Sequence, residues 1–158
     1  MESYGLKEIF QFAKQMEENG RLYYETAAAE CNDPSLSSLC LKIADQETEH
    51  LEKLKSMEQT LLTDEEMQEL TWEELTWLQF ELEDAVDLDM QELKSFIKEA
   101  TILEILLRAI QMESDTMAFY SSLMPEVNPD CAGLLQELIE EENNHLKWLT
   151  EAKVELEK

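Results

Sequence analysis

Apolar residues recur every three or four positions through most of this chain, and a glutamate interrupts each stripe near its middle. Over 3–30, Leu6, Phe10, Ala13, Gly20, Tyr24 and Ala27 share a face with Glu17, the spacing of an amphipathic helix. Over 34–57, Leu39, Ile43, Leu51 and Leu54 flank Glu47 and His50. Over 101–124, Ile102, Leu106, Ala109, Thr116, Met117 and Tyr120 flank Glu113, and over 129–156, Leu135, Leu138, Leu149 and Ala152 flank Glu142 and His145. The start signals agree with these spans. Asp33-Pro34 and Asn128-Pro129 each place a capping side chain before a proline suited to the first helical turn, and Thr101 with Glu104 forms a capping box.

The four stripes are two copies of one pattern. Gln15-Met16-Glu17 with Tyr23-Tyr24 returns as Gln111-Met112-Glu113 with Phe119-Tyr120, and Asp33-Pro34 through His50 returns as Asn128-Pro129 through His145. Such self-similarity marks a duplicated unit, here a helix, a short loop and a second helix. The expected fold is all-α, a single domain over 1–158. It is a four-helix bundle of two repeated antiparallel hairpins joined by a long crossover. That crossover, 59–100, carries capping-box patterns at Thr63/Glu66 and Thr71/Glu74, so one or two short helices are expected there. Trp72, Trp77 and Phe80 are expected to cover the bundle or a subunit interface.

Composition supports helices and narrows function. The chain has 158 residues with only 3 glycines and 3 prolines, and no turn dipeptide sits between β-branched runs. A net charge of −25 argues against nucleic acid, whose phosphates demand Lys and Arg. No apolar run is long enough to span a membrane, and the first residues carry no basic leader, so a cytoplasmic location is expected. Cys31, Cys40 and Cys131 are odd in number and form no Cys-x-x-Cys pair, which fits a reducing compartment.

Both histidines end a Glu-x-x-His tetrad, Glu47 to His50 and Glu142 to His145. On a helix, such a pair lies on one face with Cβ atoms about 5–6 Å apart, close enough to grip one ion. The seams add Glu17 and Glu113, giving four carboxylates and two imidazoles aimed inward. Buried carboxylates repel unless neutralised or protonated, and neither Lys nor Arg recurs on these faces. Two divalent cations would cancel the four charges. Most of the other acids read as solvated helix faces.

One glutamate from each of two helices and Glu-x-x-His from the other two is the ligand pattern of ferritin-like di-metal bundles. Over roughly 5–57 and 101–156 the chain resembles the ferritin-like superfamily, and in it rubrerythrin-like di-iron carboxylate proteins that lack a rubredoxin domain. The resemblance implies two iron ions, with manganese or zinc as other occupants. Glu47 and Glu142 would bridge them, Glu17 and His50 would end one site, and Glu113 and His145 the other. It also implies that Tyr24 and Tyr120 lie beside the metals as catalytic-site groups, the alternative being core tyrosines with satisfied hydroxyls. Two positions depart from peroxide-reducing rubrerythrins: Thr116 and His145 stand where that group carries glutamate. The ligand set is closer to that of bacterioferritin, although the long 59–100 segment and the lack of a fifth helix in the repeat argue against a ferritin cage.

The expected function is a di-iron oxidoreductase that reduces hydrogen peroxide or dioxygen. Three cysteines cannot build a rubredoxin-type iron site, so the electrons would come from a separate donor protein, and the resemblance implies a homodimer. The rival readings are ferroxidase or iron handling, and a non-catalytic acidic helical module acting through 72–80. A further expectation concerns the metal-free bundle: neutralising Glu17 or Glu113 should stabilise it, because clustered carboxylates oppose folding.

Overall fold

The computed structural model describes residues 6–61, 89–126 and 129–158. Among them are five α-helices and one 3-10 turn: α1 (Leu6–Glu30), α2 (Pro34–Leu61), α3 (Met90–Glu99), α4 (Ile102–Leu123), the turn Met124–Glu126, and α5 (Pro129–Glu157). The helices predicted over 101–124 and 129–156 are α4 and α5.

Local chemistry sets the helix ends. The Asp33 carboxylate accepts from the Leu36 amide at 2.8 Å, which satisfies an amide that the first turn of α2 leaves open. Thr101 and Glu104 form the expected capping box at the start of α4. Helix α2 runs four residues beyond its predicted end, to Leu61. No glycine or proline stops it at Met57, and periodicity alone places ends poorly.

The crossover yields one described helix, α3, capped by Asp89 accepting from the amides of Gln91 and Glu92. The expected capping boxes at Thr63 and Thr71, and the aromatics Trp72, Trp77 and Phe80, lie outside the described residues. Within the described part, Leu93 and Ile97 of α3 are the buried residues that pack into the bundle core.

Apolar side chains form two clusters, one toward each end of the bundle. One gathers Tyr24 and Ala27 from α1, Cys40 and Ile43 from α2, Leu106 and Ala109 from α4 and Leu149 from α5. The other gathers Phe10 and Ala13 from α1, Leu54 from α2, Tyr120 from α4 and Leu134, Leu135 and Leu138 from α5. Helices α1 and α5 therefore run one way and α2 and α4 the other. Helix α1 packs chiefly along α2, and α4 along α5, so the two hairpins are real units. Because α2 and α4 are parallel, no short turn can join them as one joins α1 to α2. The glutamates and histidines of the seams fall between the two apolar clusters.

In the α2 seam, Leu36 and Cys40 are buried, whereas the expected Leu39 is only half-buried against the same cluster. Among the described residues, no helix is long and apolar enough to cross a membrane.

Candidate metal centre

The seam glutamates come from four helices, one each, and the histidines sit one turn further along α2 and α5. Glu17, Glu47, Glu113 and Glu142 are each at most 2% exposed, His50 is 4% exposed and His145 is fully enclosed. His50 Nδ1 lies 3.2 Å from Glu17 Oε2, 3.6 Å from Glu142 Oε1 and 3.9 Å from Glu47 Oε2. His145 Nδ1 lies 3.1 Å from Glu47 Oε1, 3.5 Å from Glu142 Oε2 and 3.6 Å from Glu113 Oε1. The two imidazoles stack, with ring centroids 5.5 Å apart.

Two sets of four donors result, Glu17, Glu47, His50 and Glu142 on one side and Glu47, Glu113, Glu142 and His145 on the other. Within each set the ligand atoms all lie within 4.8 Å of one another. Glu47 and Glu142 belong to both. All six residues singled out in the sequence are thus brought together.

No described Lys or Arg is buried, so basic side chains do not neutralise this layer. The protein alone balances it with protons. Burial, reinforced by the Glu17 charge, pushes Glu47 and Glu142 well above the usual carboxylate range. Burial pushes Glu17 the same way, but hydrogen bonds with Glu47 and His50 outweigh it and hold Glu17 below that range. Burial opposes protonation of His50, and its contact with Glu17 overcomes this and raises it. Even so, Glu142 Oε1 and His145 Nδ1 remain buried without a hydrogen-bonding partner. Buried lone pairs converging without a donor are costly, and a divalent cation with oxygen and imidazole ligands satisfies them. The residues fit such an ion.

Tyr24 and Tyr120 reach across the bundle. The Tyr24 hydroxyl on α1 donates to Glu113 Oε1 on α4 at 2.6 Å, and the Tyr120 hydroxyl on α4 donates to Glu17 Oε1 on α1 at 3.1 Å. Burial, together with the charge of the accepting glutamate, raises both phenols well above their usual range, so both stay donors.

Sequence reasoning missed three residues here. Gln46 Oε1 lies 2.9 Å from His145 Nε2, and Glu141 Oε2 lies 2.8 Å from His50 Nε2. Each immediately precedes a shared glutamate, so the repeat places them in equivalent positions, and that was the available signal. The third is Gly20. A Cβ built there would lie 3.3 Å from Glu47 Cδ, so the glycine makes room for a shared carboxylate. Its counterpart in the repeat, Thr116, turns its hydroxyl back onto Met112 O at 2.9 Å. These residues, with Met16, Glu17, Glu113 and Glu142, line a cavity of about 10 Å³, room for roughly one water molecule.

A family model described as Rubrerythrin matches residues 104–158, the stretch containing α4 and α5. A crystal structure from Thermotoga maritima, described as a candidate ferritin-like diiron-carboxylate protein, is similar over 98% of both chains, with a TM-score of 0.72 and 26% identity. The chain has a ferritin-like fold, and its second hairpin is similar to rubrerythrin. No curated protein matches it. The rubrerythrin match falls on the second hairpin, and the structural match extends the likeness to the first.

Proposed function

We propose that this rubrerythrin-type chain is a di-iron oxidoreductase that reduces hydrogen peroxide or dioxygen with electrons from a separate donor protein, and that it works as a homodimer. The observation that supports this most is the pair of overlapping donor sets sharing Glu47 and Glu142. Two iron ions held there supply one electron each, matching a two-electron reduction of the oxidant.

The residues have separable parts in this reading. Glu47 and Glu142 would be shared by both ions, while Glu17 with His50 and Glu113 with His145 would complete the two sites. Tyr24 and Tyr120 keep their protons and hold Glu113 and Glu17 in place, the outer support that metal ligands require. The small cavity beside Gly20 and Thr116 lies among the four glutamates, next to the two donor sets. Thr116 offers no carboxylate to that cavity.

The test is to load metal-free protein with Fe²⁺ under anaerobic conditions, count ions per chain, and add peroxide or oxygen with a reductant while following ferric absorption. Two ions per chain with repeated consumption of oxidant is the expected result. Many more ions per chain would transfer the protein to iron storage. Failure to bind iron would leave an acidic helical module.

A further inference from the structure

The duplicated halves are not identical where it matters electrically. Position 46 is glutamine and its repeat counterpart, 141, is glutamate. Each faces the Nε2 edge of the histidine on the opposite hairpin, Gln46 at 2.9 Å from His145 and Glu141 at 2.8 Å from His50. Both histidines turn Nδ1 toward the shared glutamates. We propose that Gln46 and Glu141 are positioning residues that make the two metal positions unequal, so that the first ion takes the His50 side.

An acceptor on the outer nitrogen fixes the tautomer and raises the basicity of the nitrogen that meets the metal. A carboxylate does this more strongly than a neutral amide, because a charged acceptor makes the stronger hydrogen bond. Glu141 Oε2 is buried and makes no hydrogen bond, so it is free to accept from His50 Nε2, 2.8 Å away. Lys53 lies 3.8 Å from the other Glu141 oxygen and offsets part of the charge without removing the acceptor.

The His145 side is set the other way. Among the described residues its outer nitrogen meets the Gln46 amide oxygen, and its ring packs against Trp148 at 5.7 Å between centroids. Lys42 Nζ sits 3.8 Å over that indole, placing a positive charge beyond the ring. Carboxylate behind one imidazole, and amide and cation behind the other, bias cation binding in one direction.

The inference rests on the di-metal reading above, and the experiment separates their failures. Titrate the metal-free full-length chain with Co²⁺ by calorimetry, and crystallise it with one equivalent of Co²⁺ to locate the ion by anomalous scattering. Wild type should bind in two steps differing by at least about 10-fold, with the first ion beside His50. Glu141→Gln should narrow the gap. The exchanged variant Gln46→Glu/Glu141→Gln, which keeps composition and net charge, should move the first ion beside His145. A purely structural role for these residues would weaken binding without reversing the order. Equal occupancy in wild type, or the same order in the exchanged variant, overturns the inference and leaves the di-metal reading standing. Should the exchanged variant not fold, wild-type occupancy and Glu141→Gln decide alone. No Co²⁺ bound by wild type overturns both.

Discussion

Tyr24 and Glu113 meet across the bundle with 2.6 Å between hydroxyl and carboxylate, a bond between hairpins made by two side chains shielded from bulk solvent. Replacing Tyr24 by Phe strands that carboxylate. The metal-free protein should lose about 1.5–3 kcal/mol, the range for a hydrogen bond to a charged partner, read from urea unfolding midpoints. Tyr120→Phe should cost less, because its bond to Glu17 is 3.1 Å long. An equal loss from both would show that ring packing, not the hydroxyl, sets the cost.

The sharing of Glu47 and Glu142 between donor sets makes the alanine series unequal. Glu47→Ala or Glu142→Ala should abolish binding of both ions, whereas Glu17→Ala or Glu113→Ala should weaken mainly one. Elemental analysis after Fe²⁺ loading and desalting measures this directly. Uniform loss of one ion from all four variants would refute the bridging assignment.

The pH dependence of the metal-free protein follows from the same glutamates. Glu47 and Glu142 bind protons more tightly folded than unfolded. Stability from them is therefore full below the unfolded carboxylate value of about 4.3 and declines as pH rises above it. His50, also raised, adds stability below about pH 6.5 that is lost as pH rises through its folded value. Glu17, lowered, has the opposite sign and contributes above pH 4.3. The sequence pointed to Glu17 and Glu113 as the positions where neutralisation helps. For Glu17 the structure moves that effect to the shared pair, because Glu17 is held below the usual carboxylate range while Glu47 and Glu142 are pushed above it. Thermal melts from pH 5 to 8 should fall for wild type and fall less for Glu47→Gln or Glu142→Gln, and added divalent metal should raise the wild-type curve.

Gly20 and Gly133 make a controlled pair. Both are inside helices, where alanine is favoured by about 1 kcal/mol. A Cβ at Gly133 meets nothing within 4 Å, while one at Gly20 presses on the Glu47 carboxylate. Gly133→Ala should raise the melting temperature and leave metal binding alone. Gly20→Ala should forfeit most of that gain and lower metal affinity. Equal affinity in the two variants would remove Gly20 from the site.

Much of this was legible in the sequence because the repeat and the helical period reinforce each other. Glu17, Glu47, His50, Glu113, Glu142 and His145 all converge, since an inward glutamate on a 3.6-residue period can only meet its counterparts on the other helices. The start of α4 was readable from Thr101 and Glu104. Less readable was anything set by packing between helices. Leu36 displaces Leu39 from the core, Tyr23 sends its hydroxyl to Ile105 O at 2.7 Å, and Gly20 matters only once Glu47 is seen beside it. Gln46 and Glu141 were overlooked for a related reason. Neither belongs to the inward tetrad, and their targets lie on the other hairpin.

The opposed running directions of the two hairpins carry a consequence for ancestry. A single hairpin paired with an identical copy would build the same polar layer under a strict twofold axis, and every outward support would then occur twice. Joining both copies in one polypeptide removes that obligation. Positions 46 and 141 can diverge, as can 20 and 116, without any change to the six inward residues. Symmetry breaking around a conserved geometry is what duplication followed by fusion makes available. On that view the long crossover is the tether that turned a self-pairing half into a chain whose two ends of one site can be tuned apart.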